Sequence, residues 1–523
     1  MKKIFFALVL LPAFVFAQQY DVIILGGKII DGTGNSWYYG DVAIKDGKIA
    51  AIGKFNNITA PKVINAKGLI VAPGFIDVHA HIESGIFENP TADNYIYDGV
   101  TTVITGNCGG SSDDLKKFFW RLDSMKMSIN VASLVGHNTV RRQAMGLDNR
   151  LATAEEQKKM EELVAQAMKD GAVGLSTGLI YLPGMYSNTE EVIGLAKSAA
   201  SYNGIYASHI RNEENGVVTA INEAINIGKA ANMPVEISHF KVSGPANWGR
   251  SKETLPLIEA ARKEGYDVTI DQYPYAASST SLGIRLPDWA MAGGSDSLKK
   301  RINDEAMHKQ IIKEMLEMQN KYKYKNYSYA YVAYHTADTT LNGKNISEIN
   351  KLKGRKVKMK NEAETILDMM LAGGAQMVYH SMNEDDVRYF IKYPFNMVGA
   401  DGGVVVYGRG MPHPRAYGTN ARVLAKYVRD EKLVSLEEMI RRMTSLAAQK
   451  FQLKDRGLLK EGMAADIVIF DFSEVTDKAT FEQPHQFSQG FHYVLVNGQL
   501  VIENAKHTGV KSGSTLKGPG FNK

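Results

Sequence analysis

Two kinds of hydrophobic pattern divide the chain. Near both ends, short runs rich in β-branched residues alternate with Gly and Asp-Gly turns, as in DVIILGGKII, DVAIKDGKIAAIG and YVLVNGQLVIEN. Runs of this kind predict β-strands joined by tight turns. Because the pattern occupies both 20–68 and 466–502, we predict one small β-sandwich domain assembled from the two ends of the chain.

Between these regions, apolar runs alternate with amphipathic helical patterns. The helical pattern is clearest after Thr153, which forms a capping box with Glu156 ahead of apolar residues at helical spacing. Alternating strands and helices imply a parallel sheet, and a strand count near eight implies a (β/α)8 TIM barrel of the α/β class. The predicted barrel strands are 101–107, 130–135, 172–177, 204–209, 234–239, 267–273 and 397–401.

Two surplus strand patterns, 327–334 and 377–381, complicate the count. Residues 285–370 are Lys-rich and mostly helical in pattern, so we predict an inserted helical subdomain that contains 327–334. The predicted organisation is a signal peptide at 1–17, the first part of the β-sandwich at 18–68, the barrel at 69–445 with its insertion at about 285–370, the second part of the β-sandwich at 446–515, and a tail at 516–523.

The N-terminus has the pattern of a secretory signal peptide. Lys2 and Lys3 precede an apolar run at 4–16, and Val15-Phe16-Ala17 offers small residues for cleavage before Gln18. The run is too short for a comfortable membrane span, and the alternative is a buried N-terminal strand. We therefore expect an exported protein, periplasmic or secreted.

Composition narrows the classes of partner. Hydrophobic residues make up 44% and charged residues 22% of the chain, and the net charge is only +5, so no global field favours nucleic acid. The densest basic run, 351–360, has no interleaved aromatic residues and reads as a solvated surface. No later segment approaches the roughly 18 apolar residues of a membrane span. We expect neither nucleic-acid binding nor stable membrane insertion, and the sequence leaves the oligomeric state open.

Candidate metal ligands lie at the ends of predicted strands. His79 and His81 in GFIDVHAH would point to the same side of a strand, as a divalent metal requires. Two ordinary histidines near a strand end are the alternative for this pair alone. Chemistry in such barrels gathers at the C-terminal ends of strands, which makes the whole set harder to dismiss. The further residues at predicted strand ends are Cys108, His209, His239 and Asp401.

Cys108 is the only cysteine, so the chain forms no internal disulfide. A lone thiol in an exported protein is expected to be buried and inert, or held as a metal ligand. Imidazole and thiolate together suit zinc, and we expect one or two Zn²⁺ ions.

The local motifs together resemble those of a known enzyme family. They are GFIDVHAH, GVTTVITGNCG, GHNTVRR, GLSTGLIYLPG, SHIRNE, SHFK, DQYPY, GADGG, HPRAYGT and GMAADIVIFD. The set is similar to that of the amidohydrolase superfamily and, within it, of the D-aminoacylases, which are N-acyl-D-amino-acid deacylases. HIRNE and HIESG depart from the usual pattern near the pocket, which leaves the acyl and side-chain preference open.

The resemblance implies a role for each matching residue. His79, His81, Cys108, His209 and His239 match the metal ligands, with the first two expected to hold the weaker or second metal. Asp401 matches the catalytic carboxylate, which acts as general base and then general acid. The residues matching substrate-binding groups are Lys241, Tyr273 (preferred over Tyr275) and Arg415 for the substrate carboxylate, and Tyr181 for the scissile amide.

The implied reaction is zinc-dependent hydrolysis of an N-acyl-D-amino acid to a carboxylate and a free D-amino acid. The D-configuration rests on the resemblance alone, because no residue spacing reads chirality. Two other amidohydrolase activities stay open: a dipeptidase for peptides with a C-terminal D-residue, and a cyclic-amide hydrolase. A non-catalytic scaffold is disfavoured because such a protein should have lost ligands, and this chain keeps all five together with Asp401.

Overall fold

The structure is a computed structural model that describes residues 20–56 and 58–521. The signal peptide predicted at 1–17 lies outside the described residues. Among the residues described, no helix is both long and apolar enough to cross a membrane.

A parallel β-barrel forms the centre of the molecule. Its strands are Phe75–Asp77, Val100–Thr105, Asn130–Ser133 with Val135–Gly136, Gly174–Gly178, Ile205–His209, Val235–Ile237, Val268–Gln272 and Asn396–Val398. Each strand pairs in parallel with the next, and a bridge between Ala80 and Gly402 joins the last strand to the first. Apolar side chains from alternate strand positions fill the interior. Because all the strands are parallel, their C-terminal ends form one rim.

Helices surround the barrel. They are Gly85–Glu88, Asp93–Ile96, Leu115–Met125, His137–Met145, Ala154–Lys169, Thr189–Ala200, Val217–Ala231, Ser251–Lys263, Glu384–Ile391, Arg415–Arg422, Val423–Asp430 (a π-helix), Leu436–Met443 and Ser445–Lys450, with 3₁₀ turns at Gly184–Tyr186 and Pro245–Asn247. The capping box predicted at Thr153 and Glu156 is confirmed, with both reciprocal hydrogen bonds present. This box fixes the start of the helix Ala154–Lys169, which packs against the Val135–Gly136 part of the third barrel strand.

Both ends of the chain contribute strands to one nine-stranded sheet. Its strands are Val22–Ile29, Tyr38–Lys45, Lys48–Gly53, Lys62–Asn65, Ile70–Pro73, Ile467–Phe470, Phe491–Val496, Gln499–Glu503 and Lys506–His507. The two halves meet where Ile70–Pro73 pairs antiparallel with Ile467–Phe470. A bridge between Lys48 and Ala464 brings the far edge back towards this junction, so the sheet folds over its own apolar cluster. The fold class predicted from the sequence is confirmed.

An insertion between the last two barrel strands forms its own apolar cluster. It contains an antiparallel sheet of Ser278–Ser281, Gln376–Tyr379 and Ala330–Tyr334 in that order, and its helices are Asp288–Met291, Gly294–Asn303, Glu305–Lys321, Ile346–Leu352 and Met359–Leu371, with 3₁₀ turns at Leu282–Arg285 and Thr339–Leu341. The strand Ser278–Ser281 was not anticipated, because its side chains are all small and polar. It carries the insertion directly over the rim of the barrel.

Candidate active site

The rim brings the predicted ligands to within contact distance of one another. The Sγ atom of Cys108 lies 3.3 Å from His79 Nε2, 3.5 Å from His209 Nδ1 and 3.4 Å from His239 Nε2. His81 completes a group with His79 and Cys108 in which the ligand atoms all lie within 4.8 Å of each other. Cys108 thus belongs to two overlapping groups, one with His79 and His81 and one with His209 and His239.

These separations fit zinc. Bonds of about 2.3 Å to sulfur and about 2.0 Å to nitrogen in a tetrahedral site place the sulfur and nitrogen about 3.5 Å apart. The three distances from Cys108 Sγ to imidazole nitrogens lie close to that value. A shared thiolate between the two groups gives room for either one or two ions.

The pKa shifts of the cysteine and histidine side chains in this cluster are also consistent with a cation-binding site. Burial raises the pKa of the Cys108 thiol well above its usual value, so a thiolate at neutral pH requires positive charge beside it. Burial lowers the pKa of His209 and of His239 well below the usual value, which leaves both rings neutral. Neutral imidazoles and a cation-dependent thiolate are the donor set of a metal site.

Three of these rim residues have left-handed backbone conformations. The φ angles are +52° at Cys108, +38° at His239 and +51° at Asp401. Non-glycine residues seldom adopt such angles, and the cost is of the order of 1–3 kcal/mol each. Each turn redirects the chain directly after a barrel strand and aims the side chain across the rim.

Two acidic residues behind the ligands hold the His79 ring and the surrounding backbone in place. Asp271 Oδ2 lies 3.1 Å from His79 Nδ1, and its Oδ1 accepts a hydrogen bond from the His239 backbone N–H at 2.9 Å. Asp77 accepts the His79 and Ala400 backbone N–H groups and so ties the first barrel strand to the last. Carboxylates in this position orient an imidazole so that its other nitrogen faces the metal.

Lys241 is engaged with this same network. Its Nζ donates to Glu213 Oε1 at 2.6 Å and to the His239 backbone oxygen at 2.8 Å, and it lies 2.6 Å from His239 Nδ1. Glu213 Oε1 is itself 3.0 Å from His239 Nδ1. Burial disfavours the charge on Lys241, but Glu213 outweighs it, and the pKa of the ammonium is raised. The barrel strand ends at Ile237, so Lys241 reaches the site from a loop and not from a continuing strand.

Asp401 lies against the ligand cluster with both carboxylate oxygens in contact. Oδ1 is 3.1 Å from His81 Nε2 and 3.7 Å from His79 Nε2, and Oδ2 is 2.9 Å from Arg415 Nη1. The Arg415 contact is a charge contact only, since Nη1 is not aligned for a hydrogen bond. Burial favours the neutral acid, but Arg415 and His81 together hold the pKa of Asp401 well below its usual range.

Two tyrosines complete the pocket. Tyr273 lies between two cations, with Arg415 Cζ 4.5 Å and Lys241 Nζ 5.7 Å from its ring centroid, and burial raises its pKa to about 12. Tyr181 shares a 3.0 Å hydrogen bond with Thr280 of the insertion, and its ring packs edge-on against His209. Every substrate-binding residue predicted from the sequence therefore lies at the rim.

Two cavities open from this cluster. The first, about 520 Å³, lies on the His209 and His239 side and includes Lys241, Tyr273 and a partly buried Arg285 among its lining residues. The second, about 540 Å³, lies on the side of His81 and Cys108. Asp401, Tyr181 and residues 279–281 line both cavities.

Glu213 and Asp271 were missed by the sequence analysis. Each lies inside one of the motifs that carry the family resemblance, Glu213 in SHIRNE and Asp271 in DQYPY. The signal for Asp271 was a carboxylate within a strand pattern whose apolar residues, Val268 and Ile270, are fully buried. Nothing in the sequence paired Glu213 with Lys241, because their contact joins two different loops.

Comparison with known proteins places this geometry in a family. The sequence profile of the amidohydrolase family matches residues 62–502, most of the chain. The chain belongs to this family. The predicted resemblance is confirmed, and the candidate metal-ligand cluster at the rim of this amidohydrolase lies within the matched region.

Relatives of this amidohydrolase extend over nearly its whole length. The D-aminoacylase of Alcaligenes xylosoxydans xylosoxydans is 34% identical, over 96% of this chain and 98% of the relative. The N-acyl-D-glutamate deacylase of the same organism is 35% identical, over 93% of this chain and 95% of the relative. The crystal structure of N-acyl-D-glutamate deacylase from Bordetella bronchiseptica, complexed with zinc and a phosphonate inhibitor that mimics the tetrahedral intermediate, is 34% identical with a TM-score of 0.82, covering 96% of this chain and 100% of that one.

Proposed function

We propose that the protein is a zinc-dependent N-acyl-D-amino-acid deacylase, which hydrolyses the amide bond to give a carboxylate and a free D-amino acid. The observation that carries this proposal is Asp401, whose ionised carboxylate lies against the cluster of four histidines and one cysteine at the barrel rim. The D-configuration is supported by the relatives, since both are named for D-amino-acid substrates.

His79, His81, Cys108, His209 and His239 would hold the metal. Bound zinc polarises an amide carbonyl and lowers the pKa of a water molecule to about 7. The chain's own contribution to proton transfer is Asp401, which is ionised and accepts the proton of the attacking water at its carboxylate. The same carboxyl group then donates this proton to the departing amine nitrogen, so Asp401 ends the cycle ionised.

The cations at the rim would bind the substrate carboxylate. Lys241 and Tyr273 line the first cavity, and Arg415, which lines the second, lies over the Tyr273 ring. In the structure Lys241 is paired with Glu213 and Arg415 with Asp401, so substrate binding would rearrange or share these contacts. Tyr181, on the shared wall of both cavities, lies where it would contact the amide between them.

The decisive experiment is an assay panel of the purified zinc-loaded enzyme. It contains N-acetyl-D-amino acids, their L-enantiomers, dipeptides with a C-terminal D-residue, and hydantoins. We expect hydrolysis of N-acetyl-D-amino acids with little or no activity on the L-series. Preferential hydrolysis of the L-enantiomers, of the dipeptides or of the hydantoins would overturn the proposed substrate class.

We also propose that the protein is exported to the periplasm or beyond. The support is the basic, apolar and small-residue pattern of residues 1–17. Cell fractionation and N-terminal sequencing of the mature protein test this, with Gln18 expected as the first residue. A cytoplasmic protein that retains residues 1–17 would refute it.

A further inference from the structure

The second cavity differs in character from the first. Its walls include a cluster of apolar side chains contributed by two separate segments, the insertion and the stretch that follows Asp401. These apolar residues are Ala333, Tyr334, Val405, Pro412 and Ala416. At about 540 Å³ the cavity has the size of a site for a whole organic ligand, far larger than the methyl group of an acetyl substituent needs.

The charged groups of this cavity are already engaged. Asp401 contacts His81 and Arg415, and Arg409 pairs with Glu88 at 2.7 Å. Among the described residues that line the cavity, Asp401 is the only carboxylate. The cavity therefore offers apolar surface without a free negative group.

The edge strand of the insertion separates the two cavities. Ser279, Thr280 and Ser281 line both of them, and Thr280 is held by its hydrogen bond to Tyr181. Of the three groups suited to the substrate carboxylate, Lys241 and Tyr273 line only the first cavity, whereas Arg415 lines the second and is held there against Asp401. A substrate amide at Asp401 would then place its amino-acid part in the first cavity and its acyl part in the second.

We propose that the second cavity binds the acyl group of the substrate and takes a linear apolar chain longer than acetyl. This inference rests on the proposed deacylase function and names its acyl specificity. An aminoacyl group, as in a dipeptide, fits less well, because its ammonium would find no unengaged carboxylate among the described lining residues. Against the apolar walls, each methylene group of the acyl chain that is fully buried is expected to increase kcat/KM by about fourfold.

The test is a chain-length series on a single D-amino acid, the one whose N-acetyl derivative is hydrolysed fastest. The N-acetyl, N-butanoyl and N-octanoyl derivatives are compared with the dipeptide that carries an L-alanyl group in place of the acyl chain. We expect kcat/KM to rise more than tenfold from acetyl to octanoyl, and the dipeptide to fall below butanoyl. A flat or falling series, or a dipeptide better than octanoyl, overturns the acyl assignment.

A pair of matched variants locates the effect. Val405→Asp places a carboxylate in the second cavity, and we expect the octanoyl-to-acetyl ratio of kcat/KM to fall at least tenfold. Ile284→Asp places the same group in the first cavity, where we expect that ratio to be retained. The reverse result would mean that the acyl chain occupies the first cavity, and the assignment would be wrong.

The outcomes separate the two proposals. Hydrolysis of N-acetyl-D-amino acids without a chain-length preference keeps the deacylase function and removes only the acyl site. If the enzyme hydrolyses no member of the series, the acetyl derivative included, both the deacylase function and the acyl site are overturned. The wild-type series decides the question even where Val405→Asp fails to fold, and Tyr334→Ala is a milder second variant with the same expected direction.

Discussion

Arg415 and His81 contact opposite oxygens of Asp401: Arg415 Nη1 lies 2.9 Å from Oδ2, and His81 Nε2 lies 3.1 Å from Oδ1. The guanidinium and the imidazole together keep the carboxylate ionised in a buried position and fix its direction. A base that is both charged and oriented before substrate arrives needs little reorganisation during the reaction.

Removal of the Asp401 carboxylate should lower turnover strongly without emptying the metal site. We expect Asp401→Asn to lower kcat by about 10²–10⁴-fold, the usual contribution of general acid–base catalysis. The ligand cluster with Cys108 is left intact by this change, so zinc content measured by atomic absorption should stay at the wild-type value. Retained activity in this variant would remove Asp401 from the mechanism.

Loss of the Cys108 thiol should reduce metal content. Sγ is the atom common to both ligand groups, so Cys108→Ala is expected to weaken both. Cys108→Ser is the matched control, because it keeps the size and the left-handed turn but replaces the thiolate with a poor ligand. Both variants should bind less zinc than the wild type after dialysis, and unchanged zinc stoichiometry would exclude the ligand role.

The two histidine groups should differ in metal affinity. Cys108 with His209 and His239 forms a closely packed group, whereas the His81 side chain is 35% exposed. We expect His239→Ala to lose the tightly bound zinc ion. We expect His79→Ala to lose chiefly the more weakly bound zinc ion. Zinc titration of the apoprotein by calorimetry measures this difference, and equal losses in the two variants would contradict it.

Glu213 should act through its partners. Glu213→Gln removes the negative charge that holds Lys241 and faces His239 Nδ1. We expect a loss of about 10–100-fold in activity or metal affinity, as is usual for groups that orient a metal ligand. KM for the substrate and zinc affinity should both change.

The neighbouring Glu214 is the matched control for this substitution. It lines the first cavity and lies 3.7 Å from Arg285, and it makes no ion pair with the candidate ligand histidines among the described residues. Glu214→Gln is expected to keep the zinc affinity of the wild type. A loss of zinc affinity as large as that in Glu213→Gln would show that the effect of Glu213 is not specific.

A buried lysine below the barrel should make stability depend on alkaline pH. Burial lowers the pKa of Lys450 from 10.5 to about 8, against the opposing pull of Asp267. Between pH 8 and 10.5 the unfolded chain keeps a proton that the folded protein has released, so folding stability rises with pH across this window. This rise is worth at most about 3 kcal/mol.

Lys450→Met should abolish that rise. The Lys450→Met variant should have a larger free energy of unfolding than the wild type at pH 8, measured by urea unfolding. This difference is expected to shrink as the pH increases from 8 to 10.5. Lys454→Met, at an exposed position four residues along, is the control and should show no such change. A pH-independent difference between Lys450→Met and the wild type would show that Lys450 is not the titrating group.

The barrel and its ligand positions could be predicted from the sequence because local pattern determines them. Each candidate ligand directly follows an apolar run, and the C-terminal ends of parallel strands must meet at one rim. His209 closes its strand, and Cys108 follows its strand after a short turn. Distances along the chain therefore carried enough information to place these residues together.

The supporting contacts could not be predicted, because they join segments distant in sequence. Glu213 meets Lys241 across 28 positions, and Asp271 meets His79 across 192. The strand Ser278–Ser281 was missed because it owes its conformation to pairing with Gln376–Tyr379 and has no apolar alternation of its own. The division of the site into two cavities follows from that strand, so it too was hidden from the sequence.

The pairing of Ile70–Pro73 with Ile467–Phe470 also constrains how the molecule is made. A ribosome synthesises the first of these strands nearly 400 residues before its partner. The terminal sheet therefore cannot close during most of synthesis, and its completion is a late event dominated by contacts of very high sequence separation. Until then Val71 and Ala72, which are fully buried in the finished protein, lack the partner strand Ile467–Phe470, and Ile70–Pro73 presents an open edge of the kind that can pair with another chain.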